Sequence, residues 1–285
     1  MSRGRRFVVT VAAFLTTMGT ACGGSGGTAA RGEGLQVVAG FARLAEVAAR
    51  VGGDQVDVRD LTPAGAEPHD LELSTDDVDA VEDADVVLEL GGDFQPALSR
   101  AARRAEVRVQ LLRPEERADP HVWLDPVRFA DLVAQVGDAL ADADPPRSAG
   151  YRRRAQSFRA ELARLHSDYE AGLARCRRRL IVTAHAAFGR LAARYDLEQR
   201  AITGVSPEAE PDPRRLAELT DLVRREGVTH VFTEQLVSPR VARALAREAG
   251  VEVAVLDPLE GRTSEGYSAV MRQNLRKLRD VLECE

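Results

Sequence analysis

The hydrophobic positions along the chain change period repeatedly, and each change marks an element. Residues 35–41 form a short apolar run of strand type, followed by a helical spacing through Leu44, Val47, Ala48 and Val51 that stops at Gly52-Gly53. Residues 56–61 alternate as a half-buried strand. Then 75–83 predict a capped helix, 84–90 a buried strand, 94–104 a helix and 107–111 a strand, and a further helix runs to Leu140. The alternation returns later, with strands at 180–184, 197–203, 228–233 and 251–256 and helices at 186–195, 214–225 and 239–249. A last amphipathic helix uses Tyr267, Val270, Met271, Leu275, Leu278 and Leu282. Between the two runs, 145–178 carry one apolar stripe at spacings of three and four: Tyr151, Ala155, Phe158, Leu162, Leu165, Tyr169, Leu173 and Cys176, continuing to Leu180. Asp144 is placed as its N-cap, with prolines in the first turn. At about 1.5 Å per residue this helix spans roughly 50 Å, enough to serve two lobes. The expected fold is α/β: two parallel-sheet lobes, 35–143 and 180–285, joined by one long rigid helix over 144–179.

The first thirty residues read as an export segment. Arg3, Arg5 and Arg6 precede an apolar run over 7–18, and Gly19, Thr20, Ala21 and Cys22 follow. Twelve residues are too few to span a bilayer as a mature helix. A small-residue triplet ending at cysteine resembles a bacterial lipoprotein signal, so 1–21 is expected to be removed, Cys22 lipidated and 22–34 left as a flexible tether. Gly19 stands where that pattern usually has Leu, which leaves a plain secretory signal as the alternative. Export permits a disulfide between the other two cysteines, Cys176 and Cys284, but sequence does not give their separation. A net charge of −6, with arginines interspersed among acids, argues against a nucleic-acid binder.

Chemistry enters at the strand ends. His69, His121, His185 and Asp257 each lie just past a predicted parallel strand, two in each lobe, which is where open α/β sheets place their ligand crevice. Lobes set face to face bring three imidazoles and a carboxylate together in the cleft. That donor set suits Zn²⁺; copper also accepts imidazole, while manganese and iron prefer more oxygen. The remaining two of five histidines are not expected to be ligands: His166 lies off the apolar stripe and is placed in solvent, and His230 is placed mid-strand as a packed residue.

Six ordered stretches carry a resemblance over residues 35–282. They are Pro68-His69-Asp70, Asp119-Pro120-His121-Val122-Trp123-Leu124-Asp125-Pro126, Thr183-Ala184-His185-Ala186-Ala187-Phe188, Ser206-Pro207-Glu208-Ala209-Glu210-Pro211, Thr233-Glu234-Gln235-Leu236-Val237-Ser238-Pro239 and Leu256-Asp257-Pro258-Leu259. Together they resemble the zinc and manganese binding proteins of bacterial ABC metal importers, the solute-binding class with a helical backbone. The resemblance implies His69, His121 and Asp257 as metal ligands, and histidine at position 185 implies the zinc type over the manganese type. It further implies a monomeric, lipid-anchored protein outside the cytoplasmic membrane that hands metal to an ABC permease and is not an enzyme. Glu67 is a candidate to support an imidazole or approach the metal; Glu210 and Glu234 match motif positions without an assigned role. The span 91–119 lacks the His-rich insertion of some zinc members, and Ala42-Arg43 replace an aromatic-proline pair. The competing expectations are a Mn²⁺ or Fe²⁺ importer component, a metal-stabilised surface adhesin, and a zinc hydrolase with Glu67 as base.

Overall fold

Four strands, β1 (Leu35–Ala39), β2 (Val56–Asp60), β3 (Val86–Glu89) and β4 (Arg108–Gln110), make the first sheet in the computed structural model, which describes residues 34–207, 209 and 211–285. The expected signal peptide, Cys22, nearly all of the tether, and Glu210 lie outside the described residues. All pairings are parallel and the order is β2-β1-β3-β4. Position in the sheet explains the strand sequences. Interior β3 is the unbroken run VVLE, buried throughout, whereas edge strand β2 alternates half-buried Val56 and Val58 with exposed Asp57 and Arg59. Four helices belong to this part: α1 (Ala42–Gly52), α2 (Thr75–Asp83), α3 (Pro96–Ala101) and α4 (Pro126–Ala143).

The connecting helix, α5, runs Ser148–Leu173. It is shorter than expected at both ends, with 26 residues and a length of about 39 Å. Asp144 does not cap it directly. It opens a 3-10 turn, Pro145–Arg147, and its carboxylate accepts the Tyr151 hydroxyl at 2.7 Å and Arg147 Nη1 at 2.9 Å. The predicted stripe from Tyr151 to Leu173 is buried as read. Beyond Leu173 the chain turns away, so that Cys176 bonds Cys284 and Leu180 opens the next strand.

The second sheet repeats the first. Its strands β5 (Leu180–Thr183), β6 (Glu198–Ala201), β7 (His230–Thr233) and β8 (Glu252–Val255) are parallel in the order β6-β5-β7-β8. Helices α6 (Gly189–Arg194), α7 (Pro213–Arg225), α8 (Arg240–Ala249) and α9 (Tyr267–Leu282) complete it. His230 opens β7 half-buried, not packed mid-strand, and rests on Thr229 Oγ1 at 3.0 Å. His166 is likewise half-buried, bonded through Nδ1 to the Tyr195 hydroxyl at 3.2 Å.

One apolar core runs through the molecule, from Val37 and Leu88 through Phe129, Phe158 and Tyr169 to Ile181, Phe232 and Met271. Helices α4 and α5 approach closely in it because Gly137 has no side chain; a Cβ there would stand 2.8 Å from that of Ala155. Both sheets are thereby fixed to one rigid spine, and the carboxyl ends of their strands bear the loops described next. Among the described residues no helix is long and apolar enough to cross a membrane.

Candidate metal centre

Each functional side chain is set by a short turn past a strand. After β2, Glu67 opens a 3-10 turn, Pro68–Asp70, and its carboxylate accepts the His69 N–H at 3.5 Å. Gln95 Nε2 donates to the carbonyls of Gly40 at 2.9 Å and Pro68 at 3.0 Å, holding this turn on the end of β1, and the His69 ring lies edge-on to Phe94. After β4, Asp119 accepts both the His121 N–H at 3.1 Å and His121 Nδ1 at 2.9 Å, which fixes the backbone and the ring together. Arg190 of the second lobe donates to the Asp119 carbonyl at 2.6 Å and so fastens the turn from the other side of the cleft.

His185 lies two residues past β5 and is fully buried. The register of β5 with β7 pairs Thr183 with Phe232, which sets Glu234 beside His185. Glu234 Oε2 stands 2.5 Å from His185 Nδ1, and Oε1 accepts the His185 N–H at 3.3 Å. A carboxylate behind Nδ1 holds the proton there and leaves Nε2 as a lone-pair donor. His121 and His185 both have this arrangement, through Asp119 and Glu234.

The fourth member departs from expectation. Asp257 follows β8, but its carboxylate is engaged elsewhere: Oδ1 accepts the Leu259 N–H at 2.7 Å and Oδ2 accepts Gln235 Nε2 at 3.2 Å. Asn274 of α9 clamps its backbone from both sides, with bonds to the N–H at 3.0 Å and the carbonyl at 2.7 Å. Leu259 then takes a left-handed conformation, φ 59°, fully buried, at a cost of about 1–2 kcal/mol for an L-residue. That turn aims the next residue, Glu260, into the cleft. Glu260, not Asp257, joins the three histidines. An aspartate before proline is commonly a turn residue whose side chain bonds its own backbone two residues on, except at Asp144, where that residue is Pro146 and has no N–H. Asp119, Asp125, Asp212 and Asp257 all do so.

Glu260 Oε1 lies 3.2 Å from His121 Nε2, 3.4 Å from His69 Nε2 and 3.4 Å from His185 Nε2. All four donor atoms fall within 4.8 Å of one another, and His121, His185 and Glu260 are buried. A tetrahedron with bonds of about 2.0 Å has edges of about 3.3 Å. The three contacts from Glu260 therefore have the length of tetrahedral edges meeting at one vertex.

The charges are arranged to take a cation. Burial would raise the Glu260 carboxyl, but the His121, His185 and His69 imidazoles beside it hold it well below the usual range, as an anion. Burial lowers the His69 imidazolium despite Glu260. For His121, burial is outweighed by Asp119 and Glu260 and the pKa rises; for His185, burial is outweighed by Glu234 and Glu260, which push it up to about 10. Glu67 is pushed up to about 8 by burial first and the Glu260 charge second. Its Oε2 is buried without a partner, and it stays outside the four-residue group.

Comparison with known proteins finds relatives named for zinc binding and zinc uptake. The family described as zinc-uptake complex component A, periplasmic, matches residues 37–281. The chain is 34% identical over 285 residues to the zinc-binding protein AdcA of Streptococcus pyogenes serotype M6, covering 86% of this chain and 55% of AdcA, so it spans about half the length of that relative. It is 30% identical to the high-affinity zinc uptake system protein ZnuA of Bacillus subtilis, covering 92% of this chain and 93% of that protein. Among solved structures, the Zn(II)-bound ZnuA-like domain of Streptococcus pneumoniae AdcA superposes with a TM-score of 0.76 at 35% identity, over 88% of this chain and 99% of that domain. The laminin-binding protein Lmb of Streptococcus agalactiae, described as an adhesin with metal-transporting activity, gives 0.82 at 32% identity, over 87% of this chain and 100% of Lmb.

Proposed function

The chain belongs to the family of the periplasmic zinc-uptake complex component A, and we propose that it is the extracytoplasmic binding component of an ABC importer, capturing Zn²⁺ and delivering it to a membrane permease. One observation carries this: a single carboxylate oxygen sits at tetrahedral-edge distance from three imidazole nitrogens. Three nitrogens and one oxygen favour zinc over manganese or iron, which take more oxygen. Four protein donors leave no vacant position for substrate water, which supports a carrier and not a hydrolase. The Cys176–Cys284 disulfide accords with an oxidising compartment, and a Streptococcus pneumoniae relative is named a zinc-binding lipoprotein, which supports anchoring through Cys22. The stiff α5 favours small lobe tilts over a wide hinge for release. Adhesion, suggested by the Lmb likeness, is a second role that leaves the cage as the primary one.

Calorimetry of the metal-stripped protein is the test, paired with native mass spectrometry in zinc–manganese mixtures. One zinc per chain, selected over manganese, is expected. Absence of zinc heat, or undiminished affinity in His185→Ala, overturns the assignment.

A further inference from the structure

The loop bearing Glu260 belongs to the second lobe in sequence, yet it is fastened to the first. Arg43, near the start of α1, is only 2% exposed and donates from Nη2 to the Gly261 carbonyl at 3.1 Å. Its Nη1 meets Glu46 Oε2 at 2.6 Å, and Glu46 Oε1 accepts the Tyr267 N–H at 2.9 Å. Between these points Arg262 reaches back to Asp60 at the end of β2, with Nε to Oδ2 at 2.8 Å and Nη2 to the carbonyl at 3.2 Å. Residues 261–267 are thus held to the first lobe at both ends, at Gly261 and Arg262 and again at Tyr267. Trp123 Nε1 adds a bond to the Pro258 carbonyl at 2.7 Å, just upstream.

Burying a guanidinium is costly, and here the Nε is left without a partner. Glu46 neutralises the charge locally, but that pair needs no contact across the cleft. What the buried position adds is a hold on the residue that follows the metal ligand. Leu259 holds a left-handed backbone just before the ligand, and a free Gly261 would let the Glu260 carboxylate leave its vertex.

We propose that Arg43 is a positioning residue for metal capture: from the first lobe it fixes the Gly261 carbonyl and so sets Glu260 relative to His69, His121 and His185. The fourth donor of the cage is in this way placed by the lobe that supplies two of the other three, and the cage is complete only while the lobes are together. This rests on the zinc-binding assignment above.

The test measures zinc affinity by chelator competition and the visible Co²⁺ spectrum for wild type, Arg43→Met, Glu260→Gln and the double variant. Arg43→Met is expected to weaken zinc about 10- to 100-fold, and to reduce the Co²⁺ absorption as the four-coordinate site opens. Because Arg43 acts through Glu260, the double variant is expected to bind no more weakly than Glu260→Gln alone, whereas a merely structural role gives additive losses. Arg43→Lys, which retains charge but cannot span Gly261 and Glu46 together, is expected to recover part of the affinity. Wild-type affinity and an unchanged spectrum in Arg43→Met overturn the proposal, as does additivity. Should Arg43→Met fail to fold, Arg43→Lys takes its place, and wild-type affinity with an unchanged spectrum in that variant overturns the proposal. Failure of the wild type to take zinc overturns the function itself, while tight wild-type binding with an insensitive Arg43→Met overturns only this inference.

Discussion

Two Asp-Pro turns, one in each lobe, serve the cage in different ways. In Asp119-Pro120-His121 the aspartate bonds the N–H two residues on, and that residue is the ligand, so the same carboxylate also grips the ligand ring. In Asp257-Pro258-Leu259 the aspartate makes the same backbone bond, but the residue it reaches is Leu259, and the ligand comes one position later. The first turn presents its donor directly. The second spends its aspartate, and the strained backbone of Leu259, on presenting Glu260. The same turn chemistry therefore gives a ligand-holding residue in one lobe and a backbone-holding residue in the other, and a carboxylate at a strand end is not by that fact a donor.

The largest effects should come from the donors themselves. His121→Ala and Glu260→Ala are each expected to weaken zinc by more than the roughly 100-fold that losing an outer partner costs. Calorimetric titration of the two variants checks this. If Asp257→Ala matches Glu260→Ala in loss and in Co²⁺ spectrum, the contrast between the turns collapses and Asp257 returns as a ligand.

One step smaller, the aspartates should separate. Asp119→Ala removes both the turn bond and the hold on His121 Nδ1, and a loss of about 10- to 100-fold is expected; Asp257→Ala acts only through the backbone and should fall at or below the lower end. Glu234→Gln sharpens the same scale, because the buried Glu234 holds His185 Nδ1 as Asp119 holds that of His121. Ranking the three by chelator competition tests whether a grip on the imidazole outweighs a grip on the turn.

Proton competition comes next. In the metal-free protein Glu234 and Glu260 push His185 up to about 10, against about 6.5 when unfolded. A raised pKa contributes stability that is fully present below about 6.5 and is lost as pH climbs through about 10. The metal-free protein should therefore lose stability from this source across that window. Zinc must displace the same proton, so its affinity rises with pH over the window, by up to about tenfold per unit for each proton released. Calorimetry in buffers of different ionisation enthalpy counts those protons, and a pH-independent affinity from 6.5 to 8.5 contradicts the charge arrangement.

The strands were legible because interior parallel strands are largely apolar, as at Val86-Val87-Leu88, and edge strands alternate, as at 56–61. Three of the four side chains that gather at the candidate centre were legible because topology places them beyond those strands. Glu260 was not, since its place depends on a left-handed leucine, a conformation that local sequence preference disfavours. Glu234 was visible as a motif residue, but its role depends on the register of β7 against β5, which no local pattern encodes. The buried Arg43 was visible only as a departure, because its partners Glu46 and Gly261 are 3 and 218 residues away.

The smallest effect on zinc is expected from the disulfide. Cys176 and Cys284, 108 residues apart in sequence, join the segment after α5 to the end of α9. Cys176 lies before the start of β5, whereas His185 lies beyond its other end, and neither Asp-Pro turn that supports the cage touches the bond. A long closed loop restricts the unfolded chain, so Cys176→Ser with Cys284→Ser should lower unfolding free energy by about 2–5 kcal/mol. Zinc affinity should stay as it was. Ligand linkage gives a direct check, because the stability that zinc adds depends only on its concentration and Kd. Denaturant melts with and without zinc should therefore show the same increment in both forms, displaced by a constant. A smaller increment without the disulfide would mean that the spine, and not the turns alone, sets the cage, and the two turns would have to be compared again with the bond as part of each.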